Sequence, residues 1–214
     1  APPFDAFLNR QGLIMDDMDP GSRIGVLSMR SRSQMQGKWP DLSFQIVRGG
    51  VDHAMETHLR HSEMDGLILP AAVTEHLGIQ GVVAEIFAPD FILPGPGQGI
   101  LVIIGRAGDQ EARDLLAGLH SPDTAVELAA EQAFCRRMIS DQDLPVGALA
   151  RVAGGEVVIT GATGKGTNRI SVNGGTEEAL AVGSGLAQQL LERGDTFADL
   201  LEADFPDGLP DEDD

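Results

Sequence analysis

Residues 92–105, ILPGPGQGILVIIG, decide the fold class that we predict for this chain. Proline and glycine alternate from Pro94 to Gly97. Because proline fixes φ and glycine opens otherwise forbidden conformations, such a run is typical of a shaped crossing between domains. An apolar run then begins at Ile100 and ends at Ile104. It predicts a strand buried on both faces of a parallel or mixed sheet, which needs a neighbour on each side.

Strand and helix patterns alternate before that crossing. We predict strands at 24–27, 42–47 and 66–69, each followed by a helix, at 29–36, 51–61 and 71–77. An apolar piece at 4–8 precedes them and is assigned to no element. Repeated βα units favour an α/β domain with a mostly parallel sheet and ligands at the carboxyl ends of its strands.

The pattern changes after the apolar run. Amphipathic helices are predicted at 109–119 and from Asp123 or Thr124 to Met138. Three antiparallel strands follow at 147–152, 156–160 and 169–172, and then helices at 177–193 and 196–203, which together indicate an α+β domain. The stretch GATGKGT at 161–167 lacks the spacing of a phosphate-binding loop, so we predict a glycine-rich hairpin turn.

Charge and cysteine content exclude several classes of function. The 214 residues carry 33 acidic and 15 basic side chains, a net charge of -18, which argues against nucleic acid or an anionic membrane as the partner. No apolar stretch is long enough to span a bilayer. Cys135 is the only cysteine, which excludes a disulfide within the chain and a cysteine metal cluster and favours a reducing cytoplasm.

Two strand-to-helix junctions are candidate anion sites. Ser28 is the predicted N-cap of the first helix, and Arg30 and Arg32 lie close to that helix start, where free backbone N–H groups attract anions. Arg48 stands at the next junction. The alternative is a solvated helix turn with exposed arginines. His58 and His61 could share a helix face and hold a metal, but a solvated helix face is the ordinary explanation, and no metal is expected.

Six stretches, in this order, resemble the hydroxymethylbilane synthases, also called porphobilinogen deaminases. They are RIGVLSMRSRSQM (23–35), PDLSFQIVRGGVDHAM (40–55), DGLILPAAVTEHLGI (65–79), LPGPGQGILVI (93–103), AAEQAFCRRM (129–138) and LPVGALA (144–150). The resemblance implies three domains. The first two are similar to periplasmic binding proteins and enclose a cleft, and the third carries a cysteine bonded to a dipyrromethane cofactor. Four porphobilinogen units are added to that cofactor with loss of ammonia, in tetrapyrrole biosynthesis.

The resemblance also implies which residues hold the acidic groups of the cofactor. The cofactor-binding positions retained here are Ser28, Arg30, Arg48 and Gly49. The degenerate positions are Ser31, Gly50, Ala54 and His76, where the family has arginine or, at Gly50, asparagine, and Gln142, where the family has its cofactor cysteine. Glutamine cannot form the thioether, and Cys135 lies seven residues upstream inside a predicted helix, so no covalent cofactor is expected.

The domain boundaries follow from the same resemblance. Residues 1–93 correspond to the second, binding-protein-like domain, and residues 122–214 to the C-terminal α+β domain. Residues 94–121 supply the hinge, a strand and a helix of the first domain. The rest of that first domain, with its catalytic aspartate, is not represented in these 214 residues.

These comparisons favour a degenerate hydroxymethylbilane synthase relative that is not catalytic on its own and acts as a binding module or a subunit of a larger assembly. A protein partner or a second copy is expected to complete the sheet between Ile100 and Ile104, unless that run packs on the neighbouring helices. A carboxylate is the expected ligand. The alternative is a split or fragmentary hydroxymethylbilane synthase that makes hydroxymethylbilane from porphobilinogen.

Overall fold

The computed structural model describes residues 1–56, 64–138, 145–164 and 168–193. Gln142, His58, His61, the predicted helix at 196–203 and the acidic end of the chain lie outside these residues. The strands are β1 (Asp5–Asn9), β2 (Arg23–Val26), β3 (Ser43–Ile46), β4 (Gly66–Pro70), β5 (Val83–Ile86), β6 (Val146–Ala153), β7 (Glu156–Thr163) and β8 (Asn168–Gly175). The α-helices are α1 (Met29–Lys38), α2 (Val51–His53), α3 (Ala71–His76), α4 (Gln110–Leu116), α5 (Pro122–Met138) and α6 (Ala179–Glu192).

The first sheet has five strands in the order β3-β2-β4-β1-β5. The predicted βα units are confirmed, because β2 pairs in parallel with both β3 and β4. The sheet is nevertheless mixed rather than mostly parallel, since β1 runs antiparallel between β4 and β5. Neither β1 nor β5 was predicted as a strand. The chain is therefore α/β in its first half, with a mixed sheet.

Both faces of this sheet are buried, which is why its central strands are continuously apolar. Along β1, Phe7 points into one apolar cluster with Ile24, Met35 and Ile68, and Ala6 and Leu8 point into another. This alternation is the two-residue period of a strand. Each such large side chain contributes about 1.5–3 kcal/mol when it is fully buried.

Local signals at the helix ends behave as predicted. Ser28 is the N-cap of α1, and its hydroxyl accepts a hydrogen bond from the Ser31 N–H at 3.1 Å. Gly78 follows α3 with φ +66°, the left-handed conformation in which glycine ends helices well.

The second sheet has three antiparallel strands in the order β6-β7-β8, as predicted. Gly154 and Gly155, with φ of +62° and +84°, form the tight turn between β6 and β7. Helices α5 and α6 cover one face, and Phe134, Ile159, Leu186 and Leu190 form the core between helix and strand. An α+β unit therefore follows the α/β unit.

The prediction of a buried strand between Ile100 and Ile104 is wrong for this structure. These residues form no strand, and Leu101 and Ile104 are 89% and 92% exposed. No strand among the described residues lies beside the run, so its backbone has no ladder to join and the apolar pattern alone cannot bury it. The run lines an open groove with α4 and the start of α5, yet Ile103 is still 59% exposed, so packing on these helices covers it only in part.

Helix α4 is shorter than predicted. It ends at Leu116 and continues as a 3-10 turn, Ala117–Leu119, and Leu115 and Leu119 are largely exposed. The apolar run and the apolar side of this helix thus form one exposed aliphatic surface. None of the helices described is long and apolar enough to cross a membrane.

Candidate functional site

The candidate site lies at the edge of the first sheet where the parallel strands end. Val26 is paired with Ile46 on β3 and with Ile68 on β4, so β2 and β3 end side by side while β4 continues for two residues to Pro70. Ser28 and Arg48 each follow these paired positions by two residues. The structure therefore brings both predicted junctions to the same edge.

The start of α1 offers backbone donors at this edge. Free N–H groups at a helix start carry partial positive charge and attract anions. The Ser28 hydroxyl oxygen accepts a hydrogen bond from the Ser31 N–H, and the hydroxyls of Ser28 and Ser31 lie 2.9 Å apart. Ser31, which the resemblance predicts at the family's second arginine position, is buried. Its hydroxyl contacts the hydroxyl of the N-cap residue Ser28.

Arg30 points inward. Its Nη2 lies 2.8 Å from Oδ2 of Asp5 on β1, and its Nη1 donates to the Leu93 carbonyl at 2.8 Å. That Asp5 oxygen accepts no aligned hydrogen bond, so the pair is held by charge. Nη2 also approaches the Gln98 amide oxygen at 3.3 Å and the Ser31 hydroxyl at 3.0 Å. The guanidinium is thus compensated within the protein, and its role in ligand binding stays a prediction.

The second junction, Arg48 with Gly49 and Gly50, is open to solvent. Gly49 has φ +97°, and a Cβ there would come within 2.9 Å of Cδ2 of His53, so this position requires glycine on two counts. Gly50 is the N-cap of the short helix α2. Arg48 and Gly50 are exposed, whereas Ser28 and Met29 at the start of α1 are half-buried.

The remaining predicted positions lie elsewhere. Ala54 is fully buried in the apolar core beneath β4, and His76 is exposed in the last turn of α3, away from the helix end that meets the edge. Cys135 is half-buried within α5, and burial raises the pKa of its thiol, which makes the reactive thiolate less available. No metal-binding group of three or more His, Cys, Asp or Glu side chains occurs in the part of the chain that the structure describes.

Side chains and one backbone hydrogen bond from β6 hold the proline–glycine segment, residues 93–99: the Ala148 N–H donates to the Pro94 carbonyl at 2.9 Å. Gln34 on α1 accepts from the Leu93 N–H at 2.9 Å and donates to the Leu93 carbonyl at 3.1 Å. Gln98 donates to Asp5 at 2.9 Å. From the other side, Glu131 on α5 accepts from the Gly97 N–H at 2.6 Å. The segment is therefore attached to both sheets.

A second connection lies nearby. Arg169 on β8 donates to the carbonyls of Pro89 and Phe91, at 2.7 and 2.9 Å. Burial lowers the pKa of this guanidinium.

Sequence reasoning missed the polar residues that organise this region: Asp5, Gln34, Gln98 and Glu131. Gln98 stands inside the proline–glycine run, where a lone amide among conformationally special residues was a usable signal. Asp5 lies within an apolar stretch, and a buried acid there indicates a basic partner. Nothing in the sequence pairs Glu131 with Gly97.

Comparison with known proteins decides the family. The family model described as "Porphobilinogen deaminase, dipyromethane cofactor binding domain" matches residues 1–114, more than half of the chain. The chain belongs to the porphobilinogen deaminase family. The porphobilinogen deaminases of Roseiflexus castenholzii and Thermus thermophilus are each 35% identical to it over 197 residues, covering 91% and 90% of this chain and 65% of each relative. The one from Trichlorobacter lovleyi is 34% identical over 196 residues, covering 90% of this chain and 62% of the relative.

This porphobilinogen deaminase relative thus spans less than two thirds of the length of those proteins. The matching family domain binds a dipyrromethane cofactor. The described residues include hydrogen-bond donors that suit the carboxylate groups of such a cofactor. Arg48 is exposed and the start of α1 carries backbone donors at the same edge, and Arg30 is paired with Asp5. Gln142, which the sequence resemblance predicts at the attachment position, lies outside the described residues.

Proposed function

We propose that this chain is a degenerate porphobilinogen deaminase relative that binds acidic pyrroles without a covalent cofactor and does not polymerise porphobilinogen on its own. In this proposal it works as a binding module or subunit in tetrapyrrole biosynthesis, in the cytoplasm. The observation that carries it is the shared sheet edge, where Arg48 and the start of α1 each follow the paired ends of two neighbouring parallel strands.

The chemistry of this edge suits a carboxylate. A guanidinium donates two parallel hydrogen bonds to a carboxylate, and a helix start adds backbone donors with partial positive charge. On a chain of net charge -18, this local positive charge is needed to attract an acidic ligand. Arg30 serves in the proposal as a structural support of the α1 start, because Asp5 holds its charge.

The lack of catalysis is inferred from the attachment chemistry. Gln142 stands where the family resemblance places the cofactor cysteine, and an amide side chain cannot form the thioether. Cys135 is a poor substitute, since it is half-buried within α5 and its thiol pKa is raised.

The proposal includes a second polypeptide that covers the groove beside α4. Leu101 and Ile104 are almost fully exposed, and this chain covers 65% of its relatives from Roseiflexus and Thermus. A continuous aliphatic surface in water is unfavourable and is typical of an interaction site. We assign its cover to a protein partner or a second copy that pairs with the run.

The alternative is a split or fragmentary hydroxymethylbilane synthase, and the length comparison is the observation that favours it. In that case the remaining third of the family's length, on the same or another polypeptide, would restore activity. The two candidates make opposite predictions for a reconstituted mixture.

One experiment tests binding and catalysis together. Purified protein is mixed with porphobilinogen, and intact mass, ultraviolet-visible spectra and calorimetric binding are recorded. We expect binding without added mass and without bilane. Arg48→Ala should weaken it about 10-fold or more, since a hydrogen bond to a charged group contributes about 1.5–3 kcal/mol. Arg136→Ala, which removes an exposed arginine on α5, is the matched control and should bind as the wild type does.

A covalent adduct or bilane formation by the chain alone would refute the proposal, as would wild-type protein that binds no porphobilinogen. A second mixture contains the N-terminal domain of the Roseiflexus porphobilinogen deaminase as a separate polypeptide. Bilane formation only in that mixture supports the split-enzyme alternative. Its absence, with binding intact, supports the binding module.

A further inference from the structure

Glu131 joins the two sheets through a single carboxylate. It lies in the middle of α5 and is 3% exposed. Its Oε2 accepts from the Gly97 N–H at 2.6 Å, and its Oε1 accepts from the Ala150 N–H on β6 at 2.8 Å. These two hydrogen bonds share one ionisable group and link Gly97 to β6, beside a backbone hydrogen bond from the Ala148 N–H on β6 to the Pro94 carbonyl at 2.9 Å.

The charged neighbours of Glu131 are few. On β6, Arg151 favours the ionised carboxylate, and on α5 itself Glu127 opposes it. Glu127 is engaged elsewhere, since it accepts from the Val152 N–H at 3.1 Å and pairs with Arg151 at 3.6 Å. The proline–glycine segment contributes no ionisable side chain, because the residues around Gly97 are Pro96 and Gln98.

Protonation changes what this group can bind. An ionised carboxylate accepts on both oxygens, so it satisfies both N–H groups. A protonated carboxyl carries an O–H on one oxygen, and that donor would face an N–H donor. One of the two amides must then lose its partner.

We propose that Glu131 is a latch that fastens the proline–glycine segment to the second sheet when it is ionised and releases one of its two amides when it takes up a proton. Burial supports this assignment, because desolvation is the largest influence on this group and raises its pKa toward neutrality, against the two backbone hydrogen bonds and Arg151. The latch is independent of any ligand.

Release of Gly97 would reach the start of α1 through the next residue. The Gln98 side chain donates to Asp5 at 2.9 Å and lies 3.3 Å from Arg30. Asp5 and Arg30 in turn hold the first turn of α1 in place. The state of the latch is thus transmitted through three side chains to the sheet edge described above.

Nuclear magnetic resonance of the full chain tests this directly. The amide signals of Gly97 and Ala150 are followed from about pH 8 to about pH 4, so that the titration includes the ordinary glutamate value, together with their protection factors against hydrogen exchange. We expect both signals to shift with one common midpoint above 4.5, the ordinary value for glutamate. The protection factor of one amide should fall about 10-fold or more on the acid side.

Two variants complete the test. Glu131→Gln should abolish the common shift. Glu127→Gln is the matched control and should keep the shift at a lower midpoint, since it removes the repulsion from Glu127. The latch is refuted if the two amides shift with different midpoints, if neither shifts, or if Glu131→Gln retains the transition. Should Glu131→Gln fail to fold, the wild-type and Glu127→Gln titrations still decide between these outcomes.

Discussion

At the scale of single residues, Arg30 shows how a side chain suited to ligand binding can serve the fold. Its guanidinium contacts Asp5, the Leu93 carbonyl and Gln98, and so ties β1, α1 and the proline–glycine segment together. A buried arginine with a buried acid is sensitive to the loss of either partner, because the remaining charge is left uncompensated.

Arg30→Ala should therefore lower the free energy of unfolding by about 3–5 kcal/mol, measured by urea denaturation. Arg30→Lys should retain part of this stability, since lysine keeps the charge but not the planar fork. The control is Arg136→Ala, on the exposed face of α5, with an effect within about 0.5 kcal/mol. Equal stability of Arg30→Ala and the wild type would show that the ion pair is not a structural support.

Glu131 makes stability depend on pH in a defined direction. Its folded-state pKa is raised, so the folded protein binds the proton more tightly than the unfolded chain does. The contribution of this group to stability is accordingly present at low pH and is lost as pH rises from 4.5 through the folded-state pKa. The stability of Glu131→Gln minus that of the wild type should rise over this interval, measured by urea denaturation at a series of pH values. A difference that is constant with pH would contradict this.

At the scale of elements, the packing of α6 on α5 depends on glycine at one position. A Cβ at Gly183 would overlap the Ala130 carbonyl and lie 3.1 Å from the Phe134 nitrogen, so the two helix backbones are in direct contact there. Gly185, two residues on in the same helix, has open space around it. The two glycines thus form a matched pair.

Gly183→Ala should lower the melting temperature, because the helices must separate or shift to admit the methyl group. Gly185→Ala should raise the free energy of unfolding by about 0.5–1 kcal/mol, since alanine restricts the unfolded chain and favours the helix. Differential scanning calorimetry of both variants checks the pair. A higher melting temperature for both variants would show that helix propensity, not contact, dominates at both positions.

The elements that could be predicted from sequence are those specified by local signals. Ser28 caps α1, and two glycines turn the chain between β6 and β7, so both features follow from a few adjacent residues. β1 and β5 could not be predicted in the same way, because their places in the sheet are set by distant partners. Phe7 lies opposite Ile68 and Glu85, which are far from it in sequence.

The same limit applies to the site. The sequence located the two junctions, and the structure confirms that Ser28 and Arg48 share an edge. The sequence alone could not show that Arg30 is paired with Asp5, because that contact depends on how β1 packs. It also could not show that Ala54 lies in the core, because that depends on how β4 packs. The apolar run between Ile100 and Ile104 predicted burial, whereas the structure leaves Leu101 and Ile104 exposed, because an apolar pattern does not show whether a neighbouring strand is present.

At the scale of the whole molecule, the exposed aliphatic surface beside α4 is the clearest feature. The double variant Leu101→Ser, Ile104→Ser should leave the free energy of unfolding within about 0.5 kcal/mol, since both side chains are almost fully exposed. It should weaken association with the Roseiflexus polypeptide proposed above for the mixture, or with a second copy, in analytical ultracentrifugation.

Ile68→Ser provides the contrast for that experiment. This residue is 2% exposed on β4, so its replacement should destabilise the fold by several kcal/mol. If the double variant is destabilised to a similar degree, the apolar run is part of the chain's own core. If it is stable and associates as the wild type does, the surface is not an interface.

The side chains that hold the proline–glycine segment have a consequence for how the molecule melts. Gln34 and Glu131 each satisfy backbone groups of this one segment, and Arg169 satisfies the carbonyls just before it. Unfolding of either unit therefore breaks hydrogen bonds that hold the connecting segment to the other unit. The described units should lose their structure in one cooperative step, with a calorimetric enthalpy equal to the van't Hoff enthalpy. Two resolved transitions would mean that the connection is too weak to couple them.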